Sequence, residues 1–215
     1  MRTPDLFEAE RESRRVLASG AAVLWGFALD GEKDLFAAYE AVVAKAPFRH
    51  MVTPGGQRMS VGMTNCGGVG WVSDRLGYRY CHVDPLTGKP WPEMPSAFLT
   101  LARRAAAEVG YRDFEPDACL INRYMPGARM TLHQDKDERD FNAPIVSVSL
   151  GLPAKFLFGG EQRNDRPLRI MLYHGDVVVW GGPARLSYHG VDTLKEGDHP
   201  VTGNSRINLT FRKAL

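Results

Sequence analysis

At 215 residues the chain is long enough for one large domain, since barrels and sandwiches of this size commonly form a single unit. Its composition, 44% hydrophobic and 24% charged, provides a sizeable core and excludes a disordered or low-complexity chain. A net charge of +2 gives no strong overall field, so any contact with nucleic acid has to rest on local patches.

The opening Met1–Arg15 stretch has mixed charges and no apolar run, which reads as the absence of a secretory leader. No later run is long enough for a membrane span, so the expectation is a cytoplasmic protein, acting as a monomer. Between Asp34 and Ala46, Leu35, Tyr39, Val42, Val43 and Ala46 recur at helical spacing. His50–Pro95 follows, glycine-rich between Gly55 and Gly77 and carrying Met51, Met59, Met63, Trp71, Tyr78, Tyr80 and Trp91. A stretch so long reads as a functional lid, and its aromatic content argues for a folded, mobile cover. A second helix is predicted between Ser96 and Val109, with Gly110 as its stop. From Cys119 onward the pattern changes to short β-rich runs: Ile145–Leu150, Phe156–Phe158, Leu168–Leu172, Val177–Trp180 and Ile207–Phe211. Turn signals such as Gly159-Gly160 and His174-Gly175-Asp176 separate them. Helices followed by many short strands predict an α+β protein, an antiparallel double-sheet jelly roll with helices buttressing one face. Cys66, Cys81 and Cys119 are widely spaced, fit a reducing compartment and receive no metal role.

The chemistry concentrates in the second half. If Leu132–Asp135 is extended, His133 and Asp135 project to the same side. With His189 downstream they make the two imidazoles and one carboxylate of a non-haem Fe(II) site, a set that leaves coordination positions open. His189 precedes Gly190, which lets backbone pass close by. His50, His82, His174 and His199 lack such neighbours and read as ordinary histidines. On the last strand Ile207, Leu209 and Phe211 share one face, while Arg206, Asn208, Thr210 and Arg212 share the other. That polar face is either solvated or the lining of a pocket for a dicarboxylate, which arginine grips bidentately. At about 3.4 Å per residue the two arginines lie roughly 20 Å apart, so they serve different ends of the pocket. Spacing alone leaves open which serves which. Asn122 and Tyr124 share a parity on the strand Ala118–Tyr124 and offer an amide and a phenol.

Several runs together resemble the AlkB family of alkylated-nucleic-acid repair dioxygenases. They are Asp117–Tyr124, Leu132–Glu138, Pro144–Gly151, Gly175–Gly182, Arg206–Arg212 and the Met51–Gly56 segment. The resemblance implies a double-stranded β-helix, Fe(II), 2-oxoglutarate as cosubstrate, and oxidative removal of N-alkyl groups from bases of the 1-methyladenine and 3-methylcytosine type. Formaldehyde, succinate and CO2 would be released. It further implies alkylated nucleic acid as partner, with single-stranded DNA the expected form; the sequence leaves DNA against RNA and single against double strands open. By similarity His133, Asp135 and His189 match the iron ligands, and Asn122, Tyr124, Arg206, Asn208 and Arg212 the cosubstrate set. Within that set Arg206 matches the residue for the distal carboxylate, and Arg212 lies near the metal-chelating end. Trp71 matches the aromatic that stacks on the target base. Tyr78, Arg79, Tyr80, Asp137 and Arg163 match substrate contacts, Asp137 being the acid that reads the base edge. Gln57 departs from the family pattern, where an aromatic is expected.

Two alternatives stand beside this reading. One is a 2-oxoglutarate dioxygenase acting on a small molecule or a protein, which a lid without Trp71, Tyr78 and the flanking basic residues would favour. The other is a non-enzymatic nucleic-acid binder on the same scaffold, which would be expected to have lost a ligand or a clamp arginine.

Overall fold

The computed structural model describes residues 13–215, so the reading of the opening segment falls mostly outside the described residues. In chain order the elements are β1 (Arg14–Ala18), β2 (Ala21–Leu24), α1 (Glu32–Lys45), β3 (Gly62–Gly67), β4 (Gly70–Asp74), β5 (Gly77–Cys81), α2 (Ser96–Glu108), β6 (Ala118–Tyr124), β7 (Met130–His133), β8 (Ile145–Gly151), β9 (Ala154–Phe158), β10 (Leu168–Leu172), β11 (Val177–Trp180), β12 (His189–Val191) and β13 (Arg206–Arg212). Glu32 and Asp34 open α1 and Lys45 closes it, matching its macrodipole. Past the C-cap Val109 of α2 stands Gly110, whose φ of 100° lies in the left-handed region that favours glycine.

Seven strands form one antiparallel sheet in the order β1-β2-β11-β8-β13-β6-β3, and four form a second in the order β10-β9-β12-β7. One apolar cluster lies between the sheets and includes Leu120, Phe156, Phe158, Ile170, Val178 and Trp180. The other lies between the large sheet and the two helices, where Leu35, Val42, Phe98 and Leu101 meet Val146, Val177, Leu209 and Phe211. The alternation of Val177 and Val179 with Val178 and Trp180 follows from the period of two. This is the expected jelly roll with helices on one side. Because both faces of the large sheet are covered, β8, β11 and β13 are buried along their whole length.

The His50–Pro95 stretch corrects an expectation. It is not one long loop: β3 is a full member of the large sheet, pairing with β6 from Gly62↔Arg123 to Gly67↔Ala118. Met51, Met63 and Trp91 belong to the inter-sheet core. Only β4 and β5 stand apart as a two-stranded hairpin. Glycines bounding β3 and its polar Thr64-Asn65 centre mimic loop composition, while pairing with β6 supplies the order. Among the described residues no helix is long and apolar enough to cross a membrane. All three cysteines are free thiols, and Cys66 faces Cys119 across β3 and β6.

Candidate active site

Register builds the site. On the small sheet His133 of β7 stands directly opposite His189 of β12, with ring centroids 4.4 Å apart. A β-bulge follows, and a Cβ at Gly190 would lie 2.7 Å from the Met130 carbonyl oxygen. Glycine is therefore required where β12 passes β7. The strand β7 ends at His133, two residues short of Asp135, so the expected extension to Asp135 is not regular strand. The carboxylate nonetheless reaches both imidazoles: His133 Nε2 is 3.6 Å from Asp135 Oδ1, and His189 Nε2 is 3.8 Å from Oδ2. Donor atoms of the three residues all lie within 4.8 Å of one another.

The donor set suits a divalent cation. His133 Nδ1 lies 2.8 Å from the Thr131 carbonyl oxygen and His189 Nδ1 lies 3.0 Å from that of Ser187. A carbonyl oxygen only accepts, so each Nδ1 carries a proton, and each Nε2 is the nitrogen turned toward Asp135. Burial, with His133 alongside, pushes the His189 pKa down to about 4, so this ring is neutral at pH 7. Burial alone would raise the Asp135 pKa. The Arg212 guanidinium outweighs it, joined by His189 and His133 in their protonated forms, and holds the carboxyl below the usual carboxylate range. A neutral imidazole at His189 and a carboxylate at Asp135 are protonation states that metal binding needs.

The large sheet supplies the facing wall. In β13, Asn208 pairs with Asn122 of β6 and Arg206 pairs with Tyr124. These side chains, with Thr210 and Arg212, line a cavity that also touches His133, His189 and Trp180. The solvated alternative for this strand face is excluded, because every residue of β13 is buried. Arg206 is 1% exposed, and its Nη2 donates to Ser149 Oγ at 2.9 Å. Its Nε and Nη1 have no hydrogen-bond partner, and neither has Asn122 Oδ1. A buried guanidinium with two idle donors is costly unless a carboxylate completes it, so the cavity fits a dicarboxylate. Tyr124 lies beneath it, with the Arg206 guanidinium carbon 5.2 Å from the ring centroid. At the other end Arg212 Nε and Nη2 both donate to Asp135 Oδ2, at 2.8 and 2.6 Å. Asn208 differs from its neighbours. Its Nδ2 donates to Ser147 Oγ and the Val148 carbonyl, and its Oδ1 accepts from Thr210 Oγ1, so its amide is used within the wall.

The hairpin meets this site through two hydrogen bonds. Trp71 Nε1 donates to Asp137 Oδ2 at 2.8 Å, and the Tyr80 hydroxyl donates to Glu138 Oε1 at 2.6 Å. Tyr78 stacks on Trp71, with centroids 5.6 Å apart and planes 12° from parallel. Arg79 is turned away from such contacts, forked onto Asp74 at 2.8 and 2.7 Å. Arg163 is exposed on the connection between β9 and β10, and Gln57 is exposed in a turn closed by Thr53. Sequence reasoning passed over Glu138 and Arg185, both buried beside Asp135, and over Trp180, whose ring lies 4.8 Å from that of His189. A charge adjacent to Asp137 was a signal for Glu138. Nothing in the local sequence distinguishes Arg185 from a surface arginine.

Comparison with known proteins agrees with this geometry. A model of the 2OG-Fe(II) oxygenase superfamily matches residues 20–212. The chain is 58% identical over 210 residues to the alpha-ketoglutarate-dependent dioxygenase AlkB of Escherichia coli (strain K12), covering 98% of this chain and 97% of that protein. It is 34% identical over 160 residues to the tRNA demethylase abh1 of Schizosaccharomyces pombe, covering 66% of this chain and 52% of that one. The solved structure of OsALKBH1 matches with a TM-score of 0.79 at 27% identity, over 93% of this chain and 99% of that chain.

Proposed function

We propose that this chain, which belongs to the AlkB family within the 2OG-Fe(II) oxygenase superfamily, removes alkyl groups oxidatively from ring nitrogens of nucleic-acid bases and so repairs alkylated DNA. Its activity class, an Fe(II)- and 2-oxoglutarate-dependent dioxygenase, follows from that membership. His133, Asp135 and His189 hold the iron. Arg206 takes the distal carboxylate of 2-oxoglutarate, with Asn122 and Tyr124 beside it. Arg212 orients Asp135 at the metal end, while Asn208 fixes the wall that Arg206 rises from. Iron, O2 and 2-oxoglutarate together supply the oxidising power for hydroxylating an N-methyl carbon, with release of succinate and CO2. The hydroxylated methyl group then leaves as formaldehyde and restores the base.

The observation that carries the choice of substrate is the Trp71–Asp137 hydrogen bond, two residues beyond the ligand Asp135. An enzyme acting on a base holds it out of the stack against a flat side chain and reads its edge. Trp71, backed on one face by Tyr78, is such a plate, and Asp137 is an acceptor for an exocyclic amine. A cationic lesion such as 1-methyladenine is favoured by both the carboxylate and the indole face. Tyr80 and Arg163 contribute further contacts to the nucleotide, and Arg79 stiffens the hairpin that bears Tyr78. Single-stranded DNA is the preferred partner, because stacking on one plate tolerates any sequence and no strand separation is needed. RNA is a second substrate, in line with the relative named as a tRNA demethylase. The site is complete within one chain, and the protein acts as a cytoplasmic monomer.

The test is mass spectrometry of a 1-methyladenine oligonucleotide incubated with protein, Fe(II), ascorbate and 2-oxoglutarate. Loss of the methyl mass is expected. Consumption of 2-oxoglutarate with the methyl group intact would favour a hydroxylase of a small molecule or protein instead.

A further inference from the structure

Behind Asp135 lies a group of buried charges that neither the ligand set nor the cosubstrate clamp accounts for. Glu138 is 6% exposed and Arg185 3%, and Arg185 Nη2 donates to Glu138 Oε2 at 3.0 Å. The same guanidinium donates through Nη1 to the Asp135 carbonyl at 2.8 Å and through Nε to the Ala143 carbonyl at 3.0 Å. Gln134 Nε2 adds a parallel link to the Leu186 carbonyl at 2.6 Å. Both links join the connection that carries Asp135 to the segment that leads into His189. The second oxygen of Glu138 faces the opposite way. It accepts from the Tyr80 hydroxyl of the hairpin, and Arg212 Nε stands 3.5 Å from it. Arg212 in turn forks Asp135.

Burying an ion pair costs desolvation that its own attraction barely offsets, and an apolar pair of similar volume often stabilises a fold equally well. Stability alone therefore does not account for Glu138 and Arg185. Directional hydrogen bonds to a ligand's own backbone are what an apolar pair could not supply. Partners beyond the ligands fix ligand orientation and tune the metal in many sites.

We propose that Arg185 and Glu138 are positioning residues that set Asp135 against His189 and, through the Tyr80 hydroxyl on Glu138, dock the substrate hairpin against the same pair. The hairpin's seat and the metal's ligand geometry are thereby one mechanical unit. The inference rests on His133, Asp135 and His189 holding iron, and a direct binding measurement separates the two ideas.

Mn(II) affinity by calorimetry, and the visible charge-transfer band of Fe(II) with 2-oxoglutarate under argon, are measured without turnover. Arg185→Lys keeps the charge but loses the planar fork to three acceptors. It is expected to weaken Mn(II) binding roughly 10- to 100-fold and to shift the band. Glu138→Asp keeps the buried charge and withdraws it from Tyr80. It is expected to raise KM for a methylated oligonucleotide several-fold and to shift the band, and it decides the matter alone if Arg185→Lys does not fold. Arg103→Gln, which breaks only the exposed pair with Glu115, should match wild type throughout. Folded variants with wild-type Mn(II) affinity, band and KM, differing only in Tm, would overturn the proposal while leaving the iron site standing. A wild type that binds no Mn(II) and shows no band would remove the iron site and the proposal together.

Discussion

Arg206 concentrates the site's chemistry in one side chain: buried, cationic, and with two donors that no protein atom meets. Arg206→Lys is expected to keep the charge but lose the fork. Losing one charge-assisted bond of about 1.5–3 kcal/mol predicts a rise of roughly ten- to hundredfold in KM for 2-oxoglutarate. An unchanged KM would move the distal clamp to another residue. At the substrate side, Trp71→Ala removes a stacking contribution of about 1–3 kcal/mol per base. Use of methylated oligonucleotides should weaken accordingly, while substrate-uncoupled turnover of 2-oxoglutarate persists. Asp137→Ala has a double consequence, since Asp137 also holds the Trp71 indole. It should shift the ranking of adenine against cytosine lesions and raise KM for both, and a pure ranking change would show that the plate stays fixed without it. His133, Asp135 and Arg206 were legible because residue type and alternation alone suggest a shared pocket. Glu138, Arg185 and the internally used Nδ2 of Asn208 were not, since their partners lie 40 or more positions away in sequence.

Helices and the central strands announce themselves through periodicity. The predicted helix between Asp34 and Ala46 corresponds to Glu32–Lys45, and Leu168–Leu172 and Val177–Trp180 are strands with those bounds. Strands whose order comes from their neighbours stayed hidden. Ala21–Leu24 is half alanine, a weak strand former, yet lies fully buried between β1 and β11. The strand His189–Val191 has three residues, one of them glycine, and exists because β7 and β9 flank it. Packing behind the site is testable at this scale. Phe98 of α2 is fully buried and meets Phe211 of β13 edge to face, with centroids 5.8 Å apart. Phe98→Ala should cost about 3–5 kcal/mol. For a chain of this size that is a fall in Tm of roughly 6–20 °C. Activity per folded molecule should survive, because Phe211 points away from the cavity and Thr210 and Arg212 keep their face. Thermal denaturation and a specific-activity assay check both halves, and a lost activity in folded protein would mean that α2 shapes the site directly.

In the molecule as a whole, the small sheet and the connection leaving β7 bring the proposed ligands, and the large sheet brings the proposed clamp, so occupancy should tighten both together. A ligand at a hundred times its Kd stabilises the folded state by about 2.7 kcal/mol. Mn(II) with 2-oxoglutarate should therefore raise Tm by roughly 5–10 °C, and 2-oxoglutarate alone by much less. Equal shifts with and without metal would place the cosubstrate away from the ligand set. The central claim is that demethylation of a base and oxidation of 2-oxoglutarate are one event at His133, Asp135 and His189. Its most direct test is to measure succinate and demethylated 1-methyladenine oligonucleotide in the same reaction, with metal-free protein and with Fe(II) restored. The expected result with Fe(II) is one succinate, above the substrate-free background, for each methyl group removed, and neither product without Fe(II). Methyl loss in metal-free protein, or in the absence of 2-oxoglutarate, would contradict it.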